Sequence, residues 1–154
     1  VTGWVAFAMF ALAYALAVGG LLAPTFHLGH PERAIKAFSQ WRSSWLSREG
    51  VVSVATLTVM ALYAAGAVFF DVHWALLGWI GAGLSLLTVF CTAMIYAQLD
   101  TVPRWKTPLT PVLFMLISMA GGALLAGQIW AAMVLFPVAA ICQGMWWLRG
   151  DGAF

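Results

Sequence analysis

The chain has 154 residues, of which 64% are hydrophobic and 8% charged, with a formal net charge of +2 and a mean hydropathy of +0.96. A water-soluble domain carries about 25% charged residues, so this composition excludes an ordinary soluble domain, and the small net charge gives no footing for nucleic-acid binding. The charges are clustered and leave apolar runs of about 20 residues, the length a bilayer-spanning helix needs. The expected fold class is an all-α integral membrane protein, a single bundle with about five transmembrane helices and one interfacial helix.

The first predicted span covers residues 3–23 and stops at Pro24, with Gly19-Gly20 making its last turns bendable. Val1 to Ala23 lacks a basic leading segment, which argues against a secretory signal. A chain that opens on Val1 reads as part of a longer protein.

A polar stretch follows, HLGHPERAIKAFSQWRSSWLSRE from His27 to Glu49, holding two of the three histidines and four of the seven basic residues. Pro31 suits a first helical turn and Glu32 its positive end. Ile35, Phe38, Trp41 and Trp45 then recur at steps of three or four, with Arg33, Lys36 and Arg42 between them. That pattern predicts an amphipathic helix over 31–46 lying in the headgroup plane.

Spans at 49–70 and 74–98 come next, joined by the short turn Asp71-Val72-His73. Gly78 and Ala82, and Gly81 and Ser85, sit four apart, a spacing that lets membrane helices approach closely. The loop DTVPRWKTP (Asp100 to Pro108) is the second polar island. From Pro111 to Leu148 the sequence is apolar for 38 residues, too long for one helix. The best break is Gly127-Gln128, giving spans at 109–127 and 129–148 and an unstructured RGDGAF tail. Alternating these spans puts all seven basic residues on one side, and the positive-inside tendency makes that side cytoplasmic.

Ionisable groups at a membrane boundary are costly unless solvated or paired, so each is a candidate. His27 closes the first span and Glu49 opens the second, at similar depth. Both residue types exchange protons near neutral pH when suitably placed. Gln98 and Asp100 end the third span on the same face, and Gln143 lies near that end of the fifth; together they form a possible polar pocket beneath the interfacial helix. Against this, His27 and His30 serve equally well as caps or loop hydrogen-bonders, and Glu49 as a helix cap or a partner of Arg48 or Arg42. The tryptophans read first as aromatic-belt anchors, and Met60, Met94 and Met115 as packing residues. Cys91 and Cys142 lie in apolar runs without metal-ligand spacing and are expected as buried thiols, with no metal site. Bis-histidine haem is not expected, because His73 falls at the opposite membrane face and His27 and His30 lie too close in the sequence to grip both faces of a porphyrin.

FHLGHPERA, WRSSWLSRE, YAQLDTVPRW and a helix bearing MAGGALL, in that order, resemble the dimethyl sulfoxide reductase anchor subunit (DmsC) family. The resemblance implies a bundle of eight spans in the bacterial inner membrane, one before Val1 and about three after Trp147. It implies partners, a molybdopterin catalytic subunit and an iron–sulfur electron-transfer subunit. It also implies exchange of electrons with menaquinone or ubiquinone, without haem or an iron–sulfur cluster in this chain. The family's quinol-site histidine and glutamate fall on His27 and Glu49, the expected proton-exchanging pair. On that reading Trp45, Arg48, Gln98 and Asp100 complete the quinone site, while Arg33, Lys36, Arg42, Arg104 and Lys106 face the partner subunits. The connection after the fourth span is shorter than the family pattern. Within the family, a cytoplasmic complex feeding the quinone pool points to the sulfite dehydrogenase type ahead of a sulfoxide reductase. The rival readings are a purely structural tether for soluble subunits, and a transporter. The transporter reading is the weaker, since no charged residue or histidine falls mid-span.

Overall fold

The structure, a computed structural model, describes residues 3–27 and 29–152. The start at Val1, Leu28 of the HLG motif, and Ala153 and Phe154 of the expected tail lie outside the described residues. Five α-helices follow in order: α1 (Gly3–Leu22), α2 (Trp45–Phe69), α3 (Ala75–Ala97), α4 (Leu109–Leu125) and α5 (Ile129–Asp151). Two 3-10 segments, Ala23–His27 and Pro31–Phe38, stand between α1 and α2. Among the described residues there is no strand.

Four helices are long and apolar enough to cross a bilayer: α1 with its 3-10 extension to His27, α2, α3 and α5. The fourth helix has only 17 residues, about 25 Å at 1.5 Å per residue, a little short of a hydrocarbon core of about 30 Å. The protein is all-helical and passes the membrane several times.

Burial runs opposite to that of a soluble protein. The interior is built of small side chains: Ala6, Ala67, Ala93, Ala120, Ala132, Ala139, Cys91 and Cys142 are all buried, alongside Ser47, Ser53, Thr56 and Thr110. Large apolar groups such as Trp4, Leu76, Trp79, Trp130 and Leu148 are exposed. Lipid supplies no hydrophobic force between helices, so small residues that let backbones approach hold them together. Two of the hydroxyls return to their own helix, Thr56 to the Val52 carbonyl (2.8 Å) and Ser53 to that of Gly50 (2.9 Å).

The molecule forms two compact units, Val1–Ser85 and Leu86–Phe154, whose boundary falls within α3. In the first, α1 and α2 run antiparallel. The Tyr14 hydroxyl donates to the Leu57 carbonyl, and Phe10 meets Tyr63 edge to face. The close approach of α3 to α2 runs through Gly78, beneath the Tyr63 ring, and buried Gly81, against the Met60 thioether. Ala82, expected to share that face, is exposed. Asp71 adopts a left-handed conformation (φ 51°) in the turn before α3, and the Val72 amide donates to the Gly66 carbonyl at 3.0 Å. A side chain on Gly66 would meet the Val72 carbonyl and the Trp74 ring at 3.1 Å, so the turn folds back over this glycine.

In the second unit α4 and α5 form a tight antiparallel hairpin joined by Ala126, Gly127 and Gln128 alone. Gly127 is left-handed (φ 73°), its amide donates to the Leu124 carbonyl (3.0 Å), and that of Gln128 to Ala123 (2.8 Å). This is a Schellman closure, in which glycine takes the left-handed position without a Cβ clash. At the other end of the hairpin α5 continues to Asp151, so Arg149 and Gly150 of the expected tail are helical.

The segment between α1 and α2 differs from the sequence expectation. The apolar period predicts one helix over 31–46; the backbone instead makes a 3-10 helix over Pro31–Phe38, turns through 39–43, and starts α2 at Trp45. Serine hydroxyls compete with the helical ladder here: Ser39 Oγ donates back to the Lys36 carbonyl (2.7 Å) and Ser43 Oγ to that of Gln40 (3.5 Å). α2 therefore begins four residues before the expected Glu49, which becomes a residue of its first turns.

Candidate functional site

In each unit the candidate site residues gather at one end. In the first, the antiparallel pairing of α1 and α2 brings the end of α1 and the start of α2 to the same end of the hairpin. His27 closes the 3-10 extension of α1, exposed, with Nδ1 at 3.3 Å from the Ala23 carbonyl. A carbonyl only accepts, so Nδ1 is the donor in this contact and Nε2 takes no part in it. Glu49 is half-buried, in the second turn of α2.

Arg48 has a structural task. Its Nε donates to the Trp41 carbonyl (3.0 Å), its Nη2 to that of Arg42 (2.7 Å), and its guanidinium lies 4.4 Å from the Trp45 ring centre. The rigid fork of arginine suits this two-carbonyl clasp. Phe38 reinforces it, its ring resting on Gly50, where an added Cβ would come to 3.0 Å. Ser47, fully buried, accepts the Gln40 amide at 3.1 Å.

Between the 3-10 helix and the start of α2 lies a groove of about 430 Å³, lined by His30, Arg33, Lys36, Gln40, Ser44 and Leu46 among others. Two expected partner-facing residues, Arg33 and Lys36, line it, whereas His27, Trp45, Arg48 and Glu49 do not. His30 Nδ1 donates to the Glu32 carboxylate at 2.9 Å. Arg42 lies over the Trp41 ring, 5.3 Å from its centre. His73 sits beyond the far end of α2, separated from His27 and His30 by the length of that helix, about 37 Å.

The other candidates belong to the second unit. Gln98, just past α3, and Asp100 are exposed, and Asp100 pairs with Lys106 across its own loop. Arg104 reaches back over α5, its guanidinium 5.7 Å from the Trp146 ring centre and its side chain packed on Gly150, where an added Cβ would meet Nε at 2.6 Å. Thr110 is buried and joins loop to helix, donating to the Trp105 carbonyl (2.8 Å) and accepting from Trp146 Nε1 (3.1 Å).

These contacts frame a second cavity of about 490 Å³, walled by Tyr96, Trp105, Phe114, Ile117, Gln143 and Trp146, with Thr110, Leu113 and Ser118. Sequence reasoning took the tryptophans for belt anchors and singled out only Gln143 from this set. The available signal was local: Gln143 and Trp146 lie three apart on one helix face, and Tyr96 and Trp105 flank the polar loop. Among the described residues no group of three or more His, Cys, Asp or Glu side chains is placed to hold a metal ion.

The sequence profile of the DMSO reductase anchor subunit (DmsC) family matches residues 3–141. The sulfite dehydrogenase C subunit of Allochromatium vinosum is 40% identical over a stretch covering 75% of this chain and 39% of that protein. In Escherichia coli, the YnfH component of an anaerobic dimethyl sulfoxide reductase is 31% identical (76% of this chain, 42% of the relative). The C component of the anaerobic dimethyl sulfoxide reductase of the same organism is 30% identical (69% and 38%). The sequence thus spans about two fifths of the length of these relatives. No solved structure matches it significantly. The protein belongs to the DMSO reductase anchor subunit (DmsC) family.

Proposed function

We propose that this protein forms part of a quinone-reactive membrane anchor that passes electrons between the quinone pool and an iron–sulfur subunit serving a molybdopterin catalytic subunit. The observation that carries the reading is the placement of His27 and Glu49 at one end of the α1–α2 hairpin, within the family match. Quinone supplies two-electron, two-proton chemistry, so its site needs proton-exchanging groups at a wet interface. His27 donates from Nε2 to a quinone oxygen when its ring is protonated, and accepts there from the quinol hydroxyl that results. Glu49 links the site to water. Trp45 and Arg48 hold the neighbouring backbone in place. No redox group of this chain is needed, and electrons pass directly between quinone and the iron–sulfur subunit. Higher identity to a sulfite dehydrogenase subunit than to the two sulfoxide reductase components favours the sulfite dehydrogenase type. The basic residues Arg33, Lys36, Arg42, Arg104 and Lys106 face partners on the cytoplasmic side of the inner membrane, following the positive-inside tendency.

The test compares quinone-linked with dye-linked activity in the assembled complex. A hydrogen bond to a charged group contributes about 1.5–3 kcal/mol, so His27→Ala is expected to cut quinone-linked turnover by roughly one to two decades while electron flow to a soluble dye survives. Glu49→Gln is expected to slow the same quinone step with less effect on inhibitor binding. Parallel loss of both activities means the residues serve assembly, and the anchor is a tether.

A further inference from the structure

We propose that the cavity of the second unit, walled by Tyr96, Trp105, Phe114 and Trp146 and bearing the Gln143 amide, is a binding site for a quinone ring. The choice of ligand rests on the quinone reading above; the choice of site does not. At about 490 Å³ the cavity falls within the roughly 300–1,000 Å³ of small-molecule sites. Its walls are flat and mutually braced. Tyr96 stacks on Phe114 (5.5 Å, 26° between planes) and meets Trp105 edge to face (5.3 Å, 87°). Trp146 is fixed by its bond to Thr110, and Thr110 in turn by the Trp105 carbonyl.

The polar groups decide the occupant. Thr110 and the Trp146 indole satisfy each other, so neither is left to bind a ligand. Gln143 is half-buried, lines the cavity, and makes no side-chain hydrogen bond among the described residues. An amide in an apolar wall costs free energy until it finds a partner. A lipid tail offers none. A planar ring with a carbonyl oxygen offers faces to the aromatic walls and an acceptor to the Gln143 NH₂ group. Ile117, half exposed at the wall, leaves the cavity open to a ligand with an apolar tail.

The experiment is photolabelling of the assembled complex, containing the full-length anchor, with an azido-quinone, followed by mapping of labelled peptides. Label is expected on the segments bearing Tyr96, Phe114 or Gln143. Gln143→Leu, a substitution of similar volume, is expected to weaken labelling about fivefold to tenfold, the effect of one hydrogen bond. Ile117→Trp, which puts a larger side chain on the cavity wall, is expected to abolish it. Subunit stoichiometry confirms that each variant assembles. Label confined to the His27–Glu49 segment overturns this site and leaves the functional reading standing. Label in the cavity that both cavity variants leave unchanged overturns it as well, marking general partitioning. A complex with neither label nor quinone-linked activity overturns both proposals.

Discussion

The polar segments of the two units are pinned to their helices by different means. In the first unit, Phe38 rests on Gly50, while Arg48 clasps the carbonyls of Trp41 and Arg42 at an exposed edge. In the second, Arg104 rests on Gly150 beside the Trp146 ring, and buried Thr110 bonds both loop and helix. Each uses a helix glycine as a seat for a large side chain. What differs is water: Phe38, Trp41 and Arg42 of the first are exposed to it, whereas Thr110 and Gly150 of the second are buried. A basic, adjustable surface suits docking of another protein, and a braced aromatic wall suits a fixed ring.

Stability measurements on detergent-solubilised full-length protein, read by a thiol-reactive dye as buried cysteines open, test that contrast. Thr110→Val strands the Trp146 N–H and deprives the Trp105 carbonyl of its donor. It is expected to cost about 2 kcal/mol, within the range for a broken buried hydrogen-bonded pair; a loss below about 0.5 kcal/mol would show that water already reaches the pair. Gly150→Ala drives a Cβ into Arg104 and is expected to cost about 1–2 kcal/mol, the scale of overpacking. Arg48→Ala releases two exposed carbonyls that water can take over, for about 1 kcal/mol. Arg48→Lys should recover little of it, since an ammonium cannot span the pair as a guanidinium fork does. Gly50→Ala is the smallest, within about 0.5 kcal/mol of zero. The Phe38 ring, 44% exposed, can yield, and alanine returns up to about 1 kcal/mol of helix propensity. Equal costs at Gly50 and Gly150 would erase the distinction between the two ends.

Much of this organisation is legible in the residues. Pro24, the Asp71-Val72-His73 turn and Gly127 stand where helices stop, because proline, a left-handed turn and a Schellman closure each end a helix for local reasons. The 3-10 helix over Pro31–Phe38 was hidden. The spacing of Ile35, Phe38, Trp41 and Trp45 fits an α-helix, and only the tertiary clasp by Arg48 and the serine back-bonds decide otherwise. Gly78 was readable as a contact, but the partner on its face is Gly81, since the rotation of α3 is set by Tyr63 and Met60. The aromatic cavity was least visible, because its walls come from α3, the 100–108 loop, α4 and α5, and no spacing in one helix reports such convergence.

The Gly127 closure also bears on how the protein enters a bilayer. From Leu109 to Leu148 there is no charged side chain, and the link between α4 and α5 has its amides folded back on α4. Moving that link across the membrane means desolvating little beyond the Gln128 side chain. The link between α2 and α3 instead carries Asp71 and His73, and an aspartate at the centre of a membrane helix costs about 2.5–3.5 kcal/mol on insertion scales. The α4–α5 pair is thus built to go in as one closed hairpin, with the slightly short α4 carried by its longer neighbour.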